Sequence, residues 1–78
     1  RNLTDGQYLA VAQKSATYTD QDLQQSAARM LAEAYYDNPK VAEASLKALR
    51  EATKFPDVKA YIDSELKAQA PDAPAPSP

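Results

Sequence analysis

Apolar side chains recur along this chain at helical spacing in four successive stretches. In residues 56–69, Val58, Tyr61, Ile62 and Leu66 follow an i, i+3, i+4, i+8 pattern, with polar residues between them. In residues 39–54, Val41, Ala42, Ala44, Ser45, Leu46, Ala48, Leu49, Ala52 and Phe55 gather on one broad side, while Lys40, Glu43, Lys47, Arg50, Glu51 and Lys54 gather opposite. In residues 20–36, Leu23, Ala27, Met30, Leu31 and Ala34 read as the central apolar stripe with Tyr35 at its edge. Asp22, Gln25, Arg29, Glu33 and Tyr36 then define the polar face. The first stretch, 5–17, is the least sharply patterned: Tyr8, Leu9, Val11, Ala12 and Ala16 spread around much of the wheel.

Start signals divide the chain at the same places. Thr4-Asp5-Gly6-Gln7 has the form of a capping box, with Leu3 and Tyr8 placed for a hydrophobic staple, and Thr19-Asp20-Gln21-Asp22 repeats the pattern between Tyr18 and Leu23. Asn38-Pro39 combines a strong cap with the one residue that loses nothing by lacking an amide at the first helical position. Phe55-Pro56-Asp57 starts a fourth helix with an acid where the helix dipole favours it. The expectation is four helices at about 5–17, 20–36, 39–54 and 56–69, joined by turns so short that successive helices run antiparallel.

The fold class is therefore all-α: a small bundle of three to four short antiparallel helices over residues 1–68, followed by a disordered Pro/Ala-rich tail or linker over 69–78. The alternating prolines of that last stretch deny a helix its donors and favour extended chain. The wide, alanine-rich side of the third helix calls for partners on more than one flank, which a lone hairpin does not supply.

Counted from Gln25, Leu31-Ala32, Tyr35, Ala44 and Pro56 stand where a tetratricopeptide repeat places its Leu-Gly, Tyr, central Ala and closing Pro. This stretch, under half the chain, resembles one such repeat. Ala28, Ala48, Glu51 and Pro39 depart from the pattern, so the resemblance implies a packed helical hairpin and no more.

Composition narrows the chemistry. Across 78 residues there is no cysteine and no histidine, which removes disulfides, thiolate or imidazole metal ligands and histidine-based triads. Serines 15, 26, 45, 64 and 77 have no histidine to activate them. The carboxylates Asp20, Asp22, Glu33, Glu43, Glu51 and Asp57 sit at helix starts or on polar faces, where capping, dipole and ion-pair roles account for them. No catalytic residue, metal or cofactor is expected. A net charge of −2 weighs against nucleic acid and anionic lipid as partners. The basic stripe of Lys40, Lys47, Arg50 and Lys54 is interleaved with Glu43 and Glu51, unlike a helix that reads a groove of DNA. No apolar run approaches the roughly 18 residues of a membrane span.

A small domain with no catalytic groups has its surface to offer, so a protein partner is expected, with packing against further copies of itself as the alternative. Two adjacent tyrosines point about 100° apart on a helix. Tyr35 is assigned to the core margin, and Arg29, Glu33, Tyr36 and Lys40 form the expected contact surface, since tyrosine beside arginine is a common hot-spot composition. The chain opens on Arg1 instead of Met and ends in a tether-like segment. The expectation that follows is an adaptor or regulatory piece of an exported or bacterial periplasmic protein, with a cytoplasmic setting as the alternative.

Overall fold

A computed structural model describes residues 4–69, apart from the Tyr36 side chain. It is a small helical bundle. Its elements are α1 (Asp5–Ser15), α2 (Gln21–Glu33), α3 (Pro39–Ala52) and α4 (Pro56–Gln69), with a short 3-10 turn (Ala34–Tyr36) closing α2. There is no strand among the described residues. The expected tail lies outside them except for Gln69, which completes α4, and so does the Leu3 half of the expected staple.

Local chemistry explains most of the boundaries. The Gln7 amide donates to Thr4 Oγ1 at 3.2 Å, and the Thr4 amide donates back to Gln7 Oε1 at 2.8 Å, completing the capping box of α1. Pro39 occupies the first turn of α3, and Asp57 the first turn of α4. The Phe55 amide is held by Thr53 Oγ1 at 3.1 Å, which fixes the corner leading into α4.

Two hydrogen-bonded bridges set the direction of the helices. At one end, Asn38 Nδ2 donates to Asp5 Oδ1 at 3.1 Å and ties the start of α3 to the start of α1. At the other end, Gln24 Nε2 donates to the Ser15 carbonyl at 2.9 Å, and the Thr53 hydroxyl bonds Gln24 Oε1. The early turn of α2 is thereby joined to the last residue of α1 and to the end of α3. Hence α1 and α3 run in the same sense, and α2 runs against both. α1 and α4 each pack on α2 and α3. The shared core holds Tyr8, Ala12, Ala28, Leu31, Ala42, Leu46, Leu49, Val58 and Ile62, with Tyr35, Val41, Phe55, Tyr61 and Leu66 packed at its margin. Alanines at 12, 28, 32 and 42 let the helix axes approach closely.

The face of α2 differs from the expectation. Leu23 and Met30 are 57% and 40% exposed, while Gln24, Ala28, Leu31 and Ala32 are buried. Leu31 and Ala34 of the anticipated stripe are buried, and around them the inward face is rotated by about one residue, toward Gln24, Ala28 and Ala32. The reason is Gln24: its amide joins three chain segments inside the bundle, and placing Leu23 inward would break that junction.

Two caps also differ. Asp20, not Thr19, caps α2: its Oδ1 accepts from the amides of Asp22 at 2.8 Å and Leu23 at 3.2 Å. Asn38 precedes α3 but makes no side-chain cap; its Nδ2 donates to Asp5 instead. In α3 the anticipated face holds at Ala42, Ser45, Leu46 and Leu49, while Ala44 and Ala52 lie exposed at its margins. In α4, Asp63 reaches across to Arg50 of α3, and both guanidinium nitrogens Nε and Nη2 donate to its carboxylate.

Candidate functional site

The parallel pair α1 and α3 leaves a groove on the outer face near their joined starts. Gly6 and Leu9 form one wall, Val41 and Ala44 the other, Ser45 the base, and Asp5 and Lys40 flank the open end. Its volume is about 360 Å³ and its lining is almost wholly apolar. That volume is at the small end of ligand-sized clefts, which run from roughly 300 to 1,000 Å³. Gly6 contributes to the opening by what it lacks, since a Cβ there would meet no heavy atom within 4 Å. Leu9 is 39% exposed although its neighbour Tyr8 is in the core. At the base, Ser45 is fully buried and its Oγ makes no hydrogen bond.

A second depression of about 190 Å³ lies between α2 and α4, lined by Arg29, Ala32, Glu33, Tyr61, Glu65 and Gln69. Gln69 Nε2 donates to Glu65 Oε1 at 2.7 Å along one side. Tyr61 is half-buried there. Burial pushes its phenol above the usual tyrosine pKa, and the nearby carboxylates of Glu65 and Glu33 act in the same direction, while Arg29 acts against them.

These two depressions divide the contact surface anticipated from sequence. Arg29 and Glu33 come together in the α2–α4 furrow, whereas Lys40 lines the α1–α3 groove. The fourth member, Tyr36, lies outside the described side chains. Nothing in the pattern of α1 alone marked Leu9 and Gly6 as groove walls. The usable signal was the pairing of a bare glycine with a leucine one turn later on the helix that shares its sense with α3.

The exposed apolar edge of α2 is a third surface. Leu23 and Met30 are exposed at i and i+7, Ala27 between them at i+4 is half-buried, and Glu33 follows one turn beyond Met30. Among the described residues, neither Glu33 nor Lys40 takes part in an ion pair; the pairs present are Glu43–Lys47 at 3.0 Å, Arg50–Glu51 at 3.5 Å and Arg50–Asp63.

Among the described residues the polar interior is uncharged. Ser15, Gln24 and Ser45 are its buried members, and Ser15 Oγ donates to the Ala12 carbonyl at 3.1 Å. The Asp63 carboxyl is held below the usual carboxylate range by its hydrogen bond from Arg50, with the charges of Arg50 and Lys59 adding to the effect and desolvation opposing it. Among the described residues, no group of three or more acidic side chains is arranged to hold a metal ion. No helix among the described residues is long and apolar enough to cross a membrane.

By fold the chain is a small four-helix all-α bundle whose distinguishing surface is the α1–α3 groove. No family model, no curated protein and no solved structure matches it.

Proposed function

We propose that this bundle is a non-catalytic adaptor module that binds another protein by receiving an amphipathic helix in the α1–α3 groove. The observation that carries this reading is an open, apolar groove on a bundle whose core is already closed without it. Its walls are two helices of the same sense, so the favoured occupant runs against both, setting its C-terminal end beside their N-terminal ends. Such a helix would offer apolar side chains at i, i+3 or i+4, and i+7 to Gly6, Leu9, Val41 and Ala44. An acidic group toward its C-terminal end would meet Lys40, which has no ion-pair partner among the described residues. The non-catalytic part of the reading rests on the placement of the ionisable groups: the buried polar side chains are neutral, and Asp20 and Asp63 are engaged in a cap and an ion pair.

A selection from a displayed library of helical peptides tests this. The expected binders carry the apolar spacing above, and their binding is lost in Leu9→Lys and in Ala44→Lys, both exposed positions, while the helical circular dichroism of the bundle is unchanged. Binders indifferent to both substitutions, or no binders at all, would count against the groove.

A further inference from the structure

We propose that the occupant of the α1–α3 groove is a second copy of this chain, which inserts the exposed edge of its own α2. This deepens the reading of the groove as a helix-binding site and rests on it. Three observations select α2. Its outward face carries Leu23, Ala27 and Met30 at i, i+4 and i+7, the spacing that a groove one helix wide accepts. Among the described residues these include two of the four exposed large hydrophobic side chains, and Leu9 in the groove wall is a third.

Charge provides the direction. When α2 of one molecule lies antiparallel to α1 and α3 of another, its C-terminal end arrives where those helices begin. Glu33, one turn beyond Met30, then comes to Lys40 at the open end of the groove. Within each molecule α2 already runs against α1 and α3, so the contact between molecules repeats on the outer side a packing sense the bundle uses inside. Helix dipoles oppose, Glu33 and Lys40 gain partners, and Leu23 and Met30 leave water in the same step.

The two halves of this contact are different surfaces of the same molecule, so the association is head-to-tail. It extends with concentration into chains, or closes into a ring if the rotation permits. That property gives a test that an ordinary two-fold dimer fails. Two variants are made in the full chain, one with the groove blocked by Leu9→Lys and one with the edge blocked by Leu23→Lys and Met30→Lys. All three positions are exposed, and circular dichroism confirms that both variants fold.

Sedimentation velocity over a wide concentration range is expected to show the unsubstituted chain growing past the dimer, each variant alone staying monomeric, and an equimolar mixture of the two forming a dimer and nothing larger. In that mixture the intact edge of one variant meets the intact groove of the other. Glu33→Lys or Lys40→Glu alone weakens association several-fold, and the two combined recover most of it. An unsubstituted chain that stays monomeric throughout overturns the proposal, and so does a mixture of the two variants that fails to pair. If either occurs while selected helical peptides still bind the groove, the second copy is wrong and the adaptor reading stands. If the peptides also fail, both fall.

Discussion

Replacing Gln24 by alanine probes the bundle at the point where its sequence pattern and its structure disagree. Gln24 is fully buried, donates from Nε2 to the Ser15 carbonyl at 2.9 Å and receives the Thr53 hydroxyl at Oε1. Truncation removes one of the two donors to the Ser15 carbonyl, which keeps the Tyr18 amide at 3.0 Å, so the lost hydrogen bond is worth about 0.5–1.5 kcal/mol. The half-exposed Thr53 can turn to water and adds little. Removing the side-chain carbons of a buried residue leaves space that the helices fill only in part, worth about another 1–2 kcal/mol. The total is about 1.5–3.5 kcal/mol, a large share of the roughly 4–12 kcal/mol expected for a domain of 78 residues.

Urea unfolding followed by far-ultraviolet circular dichroism measures this directly. Gln24→Met separates the contributions, because it keeps most of the volume while losing both hydrogen bonds, and should recover the packing part alone. Leu23→Ala is the control: at 57% exposure it should change stability by less than about 0.5 kcal/mol. If Leu23→Ala proved the more damaging and Gln24→Ala nearly neutral, the face of α2 described above would be the wrong one.

Three further outcomes follow from single positions. Ser45→Ala should stabilise the bundle by up to about 1–2 kcal/mol in the same urea assay, since it deletes a buried hydroxyl that has no partner and improves helix propensity. Gly6→Ala should also stabilise, by up to about 1 kcal/mol, because its φ is not positive and a Cβ there has open space; a loss of stability would mean the groove wall is closed at that point. Asp63 has a folded-state pKa below its unfolded value, so the Arg50 pair contributes stability at pH above the ordinary carboxylate range. That contribution is lost as pH falls through the lowered folded-state pKa, and Asp63→Asn should flatten this part of the stability–pH profile.

The helices themselves were legible because their start signals are local. Thr4 with Gln7 fixes a boundary by satisfying backbone donors and Pro39 and Pro56 by lacking one where none is needed, all within one turn, and the structure places the boundaries there. The inward faces of α3 and α4 were legible too, since Leu46, Leu49, Val58 and Ile62 leave one side with no competitor. On α2 two stripes competed. Leu23, Ala27 and Met30 won on hydrophobicity, but Gln24, Ala28, Leu31 and Ala32 pack against neighbouring helices through small residues and one satisfied amide. A single-helix wheel weighs side-chain size and has no knowledge of the Ser15 carbonyl and Thr53 hydroxyl waiting across the bundle.

The groove was hidden for the same reason. Gly6 and Leu9 become a wall only once α3 lies beside α1 in the same sense, a relation set by Asn38 with Asp5 and by Gln24 with Ser15 and Thr53. Of the anticipated contact residues, Arg29 and Glu33 share a furrow because they are one turn apart on α2, a local relation that the sequence shows. Lys40 belongs elsewhere because it lies beyond the turn between α2 and α3, on the helix that forms the α1–α3 groove with Asp5.

The groove can be tested most directly by recording the backbone amide nuclear magnetic resonance spectrum of the bundle while a selected helical peptide is added. Shift changes are expected to concentrate at Gly6, Leu9, Val41 and Ala44, with Lys40 at their edge, and to be absent in Leu9→Lys. Changes centred on Arg29, Tyr61 and Glu65 would place binding in the α2–α4 furrow and contradict the assignment of the α1–α3 groove.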